Sequence, residues 1–313
     1  MTTALPRYAY LGPAGTFTEA GLRQVVGPNE AEYLPQLDVV TALEAVRTGA
    51  ADFAVVPIEN SVEGGVNATL DTLAVGEPLV VVREVLVPIT FVLAARPGTA
   101  MEEIRRLSTH PHAWAQCRRW LNRNLPEVVH VPATSTAGAA ALLAEGGAGF
   151  EATLVSPLTA EVYGLAVLAE HVADNESAVT RFVVVARPGA VPARTGADKT
   201  SLVVHLPDNE AGALLTMLEQ FATRGVNLSR IESRPIGDAL GRYSFSIDAE
   251  GHLDDARVAD ALMGLHRVCP YVRFLGSYPR ADATRPSVHP ANSDVAFAAA
   301  QEWVQALRRG AVD

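Results

Sequence analysis

A segment rich in proline and glycine, residues 188–196, divides this chain into two parts. It reads PGAVPARTG and has no apolar periodicity, which is typical of a linker, and we expect the linker to cover residues 189–198. After it, the hydrophobic pattern indicates elements in the order βαββαβ. Because that order folds into a ferredoxin-like sandwich, residues 199–279 are predicted to form a separate small domain.

Strand and helix signals alternate before the linker. Strands are predicted at residues 7–11, 53–57 and 152–156 and twice within 78–95, and helices at residues 18–25, 41–48, 101–107, 113–124 and 137–145. This alternation indicates an α/β fold with two lobes, approximately residues 1–77 with 178–188 and residues 78–177. The elements predicted after the linker are strands at 199–206, 227–234, 242–248 and 272–278, helices at 210–223 and 254–265, and a helix at 296–308 in a tail over 280–313.

The chain is acidic, with 313 residues and a formal net charge of -10. Because this charge repels polyanions, we expect no nucleic-acid partner and no binding to anionic membranes. The most apolar stretch, residues 78–95, is interrupted by charged residues and by Pro88, which favours strands over a membrane span. The first residues lack a basic region followed by an apolar core, so we expect a cytoplasmic protein. Cys117 and Cys269 are expected to be buried thiols.

Three polar turns follow apolar, strand-like runs along the chain. They lie at residues 12–16, 57–61 and 174–182, and the last turn ends in a Thr-Arg-Phe triplet. Ligands of α/β sheets bind in the cleft at the carboxyl ends of the strands. The three turns therefore predict one shared site for a small organic acid.

The turn residues suit a carboxylate ligand. Backbone N–H groups around Gly15 and Thr16, between a strand and a helix, can receive a carboxylate. Asn60 and Ser61 are expected to turn towards the cleft, since Pro57 should end the strand before them. Ordinary turn and cap chemistry is the alternative interpretation of these residues.

The Thr-Arg-Phe triplet offers a proton donor, Thr180, and a cation, Arg181. The alternative interpretations are an ordinary β-branched strand residue and a structural ion-pair partner. Glu59 is expected to orient a neighbouring group. His110 and His112 are close in sequence, but no cysteine or carboxylate cluster accompanies them there, so no metal site is predicted.

Five short motifs resemble those of prephenate dehydratases that carry a C-terminal ACT regulatory domain. They are YLGPAGTF at residues 10–17, PIENSVEG at 57–64, NES through TRF at 175–182, GALL at 212–215 and ESRP at 232–235. The resemblance extends to about Pro279. It implies a two-lobed catalytic region similar to periplasmic binding proteins, followed by a ferredoxin-like ACT domain.

The resemblance also implies an activity. Members of this family are hydro-lyases that convert prephenate to phenylpyruvate, carbon dioxide and water in L-phenylalanine biosynthesis, without a metal or an organic cofactor. The catalytic residues that it implies are Thr180, Arg181, Glu59 and Asn60. The substrate-binding residues that it implies are Gly15, Thr16, Ser61, Thr109, His110, Gln116, Thr134, Ser135 and Phe182. One segment departs from the family's Ser-His-Pro-Gln pattern, because Thr109 replaces the serine and His112 replaces the glutamine.

For the small domain, the resemblance implies feedback regulation by L-phenylalanine bound between two copies of the chain. The effector residues that it implies are Gly212, Ala213, Leu214, Asn227, Leu228, Glu232, Ser233 and Arg234. Such a site requires an oligomer, and a homodimer or homotetramer is expected. An exposed strand with alternating charges is the alternative interpretation of residues 232–234.

Two other functions stay open at this point. Arogenate differs from prephenate by an amino group in place of a keto oxygen, and no single residue of the sequence excludes it as the substrate. A non-catalytic small-molecule sensor would share the two-lobed arrangement, since periplasmic-type binding proteins hold their ligand between two such lobes.

Overall fold

A computed structural model describes residues 4–146, 149–206, 211–236 and 243–311. Its strands form three sheets, which confirms the predicted α/β class with a separate ferredoxin-like domain. Before the linker, the elements are β1 (Arg7–Leu11), α1 (Phe17–Val25), β2 (Glu32–Gln36), α2 (Val39–Arg47), β3 (Phe53–Asn60), β4 (Gly64–Gly65), α3 (Asn67–Ala74), β5 (Val80–Pro88), β6 (Val92–Ala95), β7 (Arg106–Thr109), α4 (Pro111–Gln116), α5 (Arg118–Asn124), β8 (Val129–Pro132), α6 (Thr136–Glu145), β9 (Ala152–Val155), α7 (Pro157–Val162), β10 (Ala166–Ala169) and β11 (Val179–Ala186). After it, they are β12 (Asp198–His205), α8 (Ala213–Ala222), β13 (Leu228–Pro235), β14 (Tyr243–Glu250), α9 (Ala256–Val268), β15 (Tyr271–Pro279) and α10 (Asp294–Arg308).

Two sheets precede the linker. The first has the strand order β2-β1-β3-β11-β5, and the short β4 pairs with the end of β3. The second has the order β10-β6-β9-β7-β8, with β7 parallel to β8 and β9, and β6 antiparallel to β9 and β10. The chain leaves the first sheet after β5, builds the second, and returns to the first as β11. Two α/β lobes, each with its own sheet, therefore share this part of the chain.

Strand β3 continues past Pro57, which corrects the expectation that Pro57 ends it. The first three residues of β3 pair with β1, and its last two, Glu59 and Asn60, pair with β4. Pro57 lies between these pairings, and its carbonyl accepts a hydrogen bond from Thr69 Oγ1 at 2.5 Å. Glu59 and Asn60 are therefore held in a strand, and Ser61 follows its end.

The helix predicted at residues 101–107 is wrong. Met101–Glu103 form one 3-10 turn, and Arg106–Thr109 form strand β7, which pairs with β8 on one side and β9 on the other. A buried strand of four residues is too short for its hydrophobic period to distinguish it from a helix. The helix predicted at residues 113–124 is interrupted at Cys117, which ends α4 and precedes α5.

The chain divides into two compact units. The first contains residues 1–69 and 85–184, and the second contains residues 70–84 and 185–313. The domain and linker bounds drawn from the sequence stay predictions. The division nevertheless shows that residues 70–84, which come early in the chain, pack with its later part.

The sheet of the second unit has the order β13-β14-β12-β15, and its neighbouring strands are antiparallel. Leu202 and Ile247 of this sheet pack in one buried cluster with Phe221 of α8 and Leu265 of α9. The βαββαβ order is thus the predicted one. Two predicted starts, the helix at residue 210 and the strand at residue 242, lie outside the described residues.

Strand β15 passes very close to the segment of β5 that belongs to the second unit. Gly276 has a φ of +130°, and a Cβ at this position would lie 2.2 Å from the carbonyl oxygen of Val81, so glycine is required. The buried Glu84 carboxylate accepts hydrogen bonds from Lys199 Nζ at 3.1 and 3.2 Å and from the Ala281 N–H at 2.9 Å. These contacts attach residues 80–84 to the small domain.

The two cysteines are buried and unbridged, as predicted. Burial raises the pKa of the Cys117 thiol to about 12, so this thiol stays protonated at neutral pH and is not a reactive group. Among the helices in the described ranges, none has both the length and the apolar character needed to cross a lipid bilayer.

Candidate active site

A cavity of about 260 Å³ lies in the first unit. Its wall is formed by Leu11, Thr16, Phe17, Thr18, Asn60, Glu63, Ile89, Phe91, His110, His112, Ala113, Gln116, Thr134, Ser135, Thr136 and Thr180. The predicted site residues among them are Thr16, Asn60, His110, Gln116, Thr134, Ser135 and Thr180. The structure therefore brings residues of all three polar turns to one cavity.

Asn60 and Thr180 are joined by a hydrogen bond between β3 and β11. Asn60 Nδ2 donates to Thr180 Oγ1 at 2.7 Å, while Asn60 Oδ1 accepts from the N–H groups of Val62 and Glu63 at 2.8 and 3.2 Å. The two bonds to Oδ1 fix the amide, so that its NH₂ group must face Thr180. Because Thr180 Oγ1 accepts from Asn60, the Thr180 O–H can be donated to a ligand in the cavity.

Arg181 lies on the face of β11 opposite Thr180, because successive side chains of a strand alternate between faces. Its side chain is 6% exposed, and its NH1 lies 3.4 Å from Glu59 Oε2. Neither member of this pair is among the residues that line the cavity. The pair joins β3 to β11 directly beside Asn60 and Thr180, and the catalytic roles of Arg181 and Glu59 stay predictions.

Ser61 also holds β11 in place and does not line the cavity. Its N–H donates to the carbonyl of Val179 at 2.9 Å, and its Oγ accepts from the N–H of Val179 at 3.0 Å. This two-point contact fixes the start of β11 one residue before Thr180. These bonds engage Ser61 with β11, and its role as a substrate-binding residue stays a prediction.

Gly15 and Thr16 shape the turn that enters α1. Gly15 has a φ of +82°, and its N–H donates to Glu19 Oε2 at 2.7 Å. Its carbonyl accepts from Thr159 Oγ1 at 2.6 Å, so the polar backbone groups of Gly15 are engaged within the protein. Thr16 caps the helix, since its Oγ1 accepts from the Glu19 N–H at 3.3 Å and donates to the carbonyl of Leu11 at 2.9 Å.

Two helices begin at the cavity wall. Helix α1 begins at Phe17, and α6 begins at Thr136 after Ser135, whose Oγ accepts from the Gly138 N–H at 2.9 Å. The N–H groups of a first helical turn lack carbonyl partners within their helix and carry partial positive charge. Phe17, Thr18 and Thr136 all line the cavity, so both helix starts present this charge to a ligand. The cavity is therefore suited to an anion.

Glu63, His112 and Gln116 form a polar cluster on the wall. His112 Nδ1 lies 2.5 Å from Glu63 Oε2, and Gln116 Nε2 donates to Glu63 Oε1 at 3.5 Å. Glu63 lies in the motif at residues 57–64, but neither Glu63 nor His112 was among the predicted site residues. One sequence signal pointed to Glu63, because it lies two residues after the polar turn at residues 57–61.

His110 caps α4, because its Nδ1 accepts from the His112 N–H at 3.2 Å. Burial lowers the pKa of His110, the neighbouring His112 lowers it further, and Glu63 opposes the shift. The imidazole is therefore neutral at pH 7, which preserves its acceptor role. Across the described ranges, no three His, Cys, Asp or Glu side chains are grouped as ligands for a metal ion.

Thr109 and Phe182 lie behind the cavity wall. Thr109 is fully buried and donates from Oγ1 to the carbonyl of Leu154 at 2.8 Å. Phe182 is 2% exposed, and its ring lies 3.4 Å from the place where a Cβ on Gly21 of α1 would be. Neither residue lines the cavity, so both support its walls from the core.

The residues predicted to bind an effector lie in the second unit. Gly212 precedes α8, Ala213 and Leu214 begin it, Asn227 precedes β13, and Leu228, Glu232, Ser233 and Arg234 lie in β13. Gly212 has a φ of +91°, and a Cβ there would meet no atom within 4 Å. Glycine is therefore favoured at this helix start by the backbone conformation alone.

Comparisons with known proteins show which family the chain belongs to. The prephenate dehydratase family model matches residues 8–190, and the ACT domain model matches residues 200–267. A prephenate dehydratase from Amycolatopsis methanolica is 47% identical over 307 residues, which cover 98% of this chain and 99% of that protein. The crystal structure of prephenate dehydratase from Arthrobacter aurescens, in complex with L-Phe, matches with a TM-score of 0.93 and 59% identity, covering 97% of this chain and 100% of that one.

One solved relative has a different described activity. GqqA, described as a novel type of quorum quenching acylase, matches with a TM-score of 0.77 and 31% identity, covering 87% of this chain and 97% of that one. The fold is thus shared by chains with different described activities. The family model nevertheless spans more than half of the sequence, and the relative from Amycolatopsis methanolica aligns with almost all of it. The chain belongs to the prephenate dehydratase family, with an ACT domain after its catalytic region.

Proposed function

We propose that this chain converts prephenate to phenylpyruvate, carbon dioxide and water in the cavity of the first unit. The observation that carries the proposal is the hydrogen bond from Asn60 Nδ2 to Thr180 Oγ1 at 2.7 Å, which leaves the Thr180 O–H to be donated into the cavity. The family membership supports the reaction, and the assignment of residues to its steps rests on this geometry.

The substrate determines what the protein has to supply. Prephenate carries two carboxylates and a ring hydroxyl. When the bond between the ring and its carboxylate breaks, the electron pair enters the ring, the C–O bond to the hydroxyl breaks, and the ring becomes aromatic. The departing hydroxyl takes up a proton and leaves as water. The protein must therefore donate this proton and hold a dianion in one orientation.

Thr180 supplies the proton through its pair with Asn60. A threonine hydroxyl is a weak acid, so its proton moves towards the leaving oxygen only if the negative charge that develops on Oγ1 is stabilised. The Asn60 amide donates to that same oxygen, and hydrogen bonds to charged acceptors are stronger than those to neutral ones. The pair therefore stabilises the transition state more than the ground state.

Among the described residues that line the cavity, none is a lysine or an arginine, so neutral donors hold the dianion. The N-terminal N–H groups of α1 and α6 and the hydroxyl of Thr16 offer donors for the side-chain carboxylate. Ile89 and Phe91 provide an apolar wall, where the ring carboxylate is poorly solvated and its loss as carbon dioxide is favoured. Arg181 and Glu59 act by positioning β11 against β3.

The described activity of GqqA suggests acyl hydrolysis as a second candidate. A threonine nucleophile must give its proton to a neighbouring base. The recorded side-chain partner of Thr180 is instead the NH₂ group of Asn60, which is a donor. The geometry therefore favours proton donation by Thr180 over nucleophilic attack.

Regulation by L-phenylalanine is part of the proposal. The relative from Arthrobacter aurescens is described in complex with L-Phe, and this chain has an ACT domain. We place the effector near Gly212 and Asn227, between two copies of the chain in a homodimer or homotetramer. Leu214 and Leu215, which are 41% and 60% exposed, offer an apolar surface for such a contact. We also propose a cytoplasmic location, in keeping with biosynthetic relatives.

The decisive experiment is the formation of phenylpyruvate by the purified chain. Prephenate and arogenate are assayed in parallel, each with and without L-phenylalanine, and the acid-catalysed background is subtracted. Turnover of prephenate that falls when L-phenylalanine is added supports both the reaction and its regulation. A preference for arogenate would make arogenate the substrate. Turnover that does not change when L-phenylalanine is added would contradict its assignment as the effector. A chain that turns over neither compound contradicts the proposal and favours the sensor.

A further inference from the structure

We propose that His112, through its contact with Glu63, makes the cavity of the first unit select a keto acid over the corresponding amino acid. The two candidate substrates differ at one group, which is a keto oxygen in prephenate and an ammonium group in arogenate. His112 occupies the carboxylate that would otherwise receive the ammonium group. The inference rests on the proposed function and adds to it a determinant of substrate choice.

Glu63 is the one acidic side chain among the described residues that line the cavity. Its N–H donates to Asn60 Oδ1 at 3.2 Å, so its backbone lies beside the pair of Asn60 and Thr180. The cavity has a volume of only about 260 Å³, so a ligand that fills it contacts most of the wall. A free carboxylate on this wall would attract an ammonium group and repel a dianion. The partners of Glu63 therefore influence which substrate binds.

Both oxygens of the Glu63 carboxylate are engaged by side chains of α4. His112 Nδ1 lies 2.5 Å from Oε2, and Gln116 Nε2 donates to Oε1 at 3.5 Å. An ionised carboxylate only accepts hydrogen bonds, so the short contact requires a proton on His112 Nδ1. The bond from Gln116 is longer than a typical hydrogen bond, which makes His112 the stronger partner. An ammonium group would have to displace the imidazole to pair as closely with Oε2.

The position of His112 is fixed within its own helix. Its backbone N–H donates to His110 Nδ1 at 3.2 Å, and the two imidazole rings meet edge to face with centroids 4.7 Å apart. Gln116 follows His112 by four residues, so the two side chains lie on one face of α4. Helix α4 therefore presents both donors to Glu63 together.

The contact lies where the cavity meets solvent, since the side chains of His112 and Glu63 are 61% and 39% exposed. Water and salt weaken such a contact in the free protein, so it contributes little to the stability of the fold. A ligand that fills the cavity excludes water from this place, and the Coulomb energies there become larger. The contact therefore discriminates between bound substrates and is not needed to hold the fold together.

The test measures the KM of prephenate and the inhibition constant of L-arogenate against prephenate turnover, with the purified full chain at pH 7.5. The inhibition constant reports binding whether or not arogenate itself reacts, and any effect of arogenate at the ACT domain should be equal in all variants. His112→Ala frees the Glu63 carboxylate, whereas the amide of His112→Gln can still donate to it. The double variant His112→Ala with Glu63→Gln also removes the charge.

His266→Ala is the matched control, because it removes an exposed histidine in the last turn of α9, in the second unit. Melting curves check that each variant is folded. The quantity compared is the inhibition constant of arogenate divided by the KM of prephenate, which is called the selectivity ratio.

We expect the selectivity ratio to exceed one in the parent and to fall about tenfold in His112→Ala, the scale of one hydrogen bond between charged groups. His112→Gln and His266→Ala should stay close to the parent, and the double variant should return towards it. An unchanged ratio in His112→Ala overturns the proposal, as does an equal fall in His112→Gln. A double variant with a ratio as low as that of His112→Ala also overturns it, because the effect would not depend on Glu63.

Failure of the proposed function gives a different result. A parent that turns over neither compound contradicts the reaction, and the selectivity ratio is then obtained from the dissociation constants of the two compounds in calorimetric titrations. A parent that turns over prephenate but binds arogenate more tightly keeps the reaction and overturns the inference.

Discussion

Thr180 is the residue on which the proposed chemistry depends. Thr180→Val keeps the volume and removes the hydroxyl, so kcat for prephenate should fall by roughly 10²–10⁴, the usual contribution of general acid catalysis. Thr180→Ser, which keeps a hydroxyl, should retain most of the activity. Steady-state kinetics of phenylpyruvate formation measure both.

Thr153 offers the matched control for this substitution. It is a fully buried threonine of β9 whose Oγ1 has no hydrogen-bond partner, so Thr153→Val removes a hydroxyl without breaking a bond. Its kcat should equal that of the parent. A Thr180→Val enzyme that is as active as Thr153→Val would remove Thr180 from the mechanism.

His110 gives the site a pH-dependent stability. Burial and His112 lower its folded pKa below the unfolded value of about 6.5, so the unfolded chain binds the proton more readily. The free energy of unfolding should therefore decrease as the pH falls below about 6.5, while above that value the residue has no effect. Urea unfolding at pH 7.5 and 5.5 should show a smaller loss in His110→Gln than in the parent. Equal losses in the two proteins contradict the assignment to His110.

The residues of the site could be predicted from the sequence where they lie in the polar turns or, as for His110 and Gln116, in segments implied by the family resemblance. Asn60 and Thr180 are 120 positions apart, yet both follow apolar runs and both line the cavity. The opposite faces of Thr180 and Arg181 follow from their adjacency in one strand, but the pairing of Arg181 with Glu59, 122 positions away, could not be predicted. Glu63 was missed for a similar reason, since its partners His112 and Gln116 come from another lobe.

At the scale of elements, long periodic segments were predictable, whereas the short strands β2, β7 and β8 were not. The helices and strands of the small domain follow the predicted order. Each has eight or more residues, which is long enough for its pattern of apolar residues to show whether it is a helix or a strand. Strands β2, β7 and β8 have four or five residues, too few for a hydrophobic period to identify them, and each is defined by its pairing with a neighbouring strand. The end of β3 was also mispredicted. The sequence does not show that β3 changes its pairing partner from β1 to β4 and so continues past Pro57.

The close approach of β15 to β5 predicts a specific sensitivity. Gly276→Ala would place a Cβ 2.2 Å from the Val81 carbonyl oxygen at a φ of +130°, so the strands must separate. We expect a loss of roughly 1–3 kcal/mol in the free energy of unfolding, as for other overpacked positions. Thermal unfolding followed by circular dichroism measures this loss.

Gly196 is the control for that prediction. It also has a positive φ, +83°, but a Cβ there would meet no atom within 4 Å. Gly196→Ala therefore carries only the backbone cost of the left-handed conformation. If Gly276→Ala melts no lower than Gly196→Ala, the backbone at Val81 can move to accommodate the added Cβ, which contradicts the prediction.

At the scale of the whole molecule, the chain before the linker should not be stable alone. A chain of residues 1–188 retains Glu84 but lacks Lys199 and the Ala281 N–H, which are hydrogen-bond partners of its buried carboxylate. It would also expose Val81, which is 1% exposed in the full chain. We expect this fragment to aggregate or to bind a hydrophobic dye, whereas a chain of residues 1–285, which lacks α10, should stay folded. A stable, monodisperse fragment of residues 1–188 contradicts this expectation.

The membership of residues 70–84 in the second unit also limits how such a protein can be recombined. A gene fusion at the linker would exchange residues after 188 and leave the recipient's residues 70–84 facing a foreign strand. Gly276 and Val81, or Glu84 and Lys199, would then come from different parents. Crossovers placed near residues 69, 85 and 185 would instead transfer the whole unit. The regulatory part of this chain is therefore inherited as two separate stretches of sequence, and relatives should exchange both stretches together or neither.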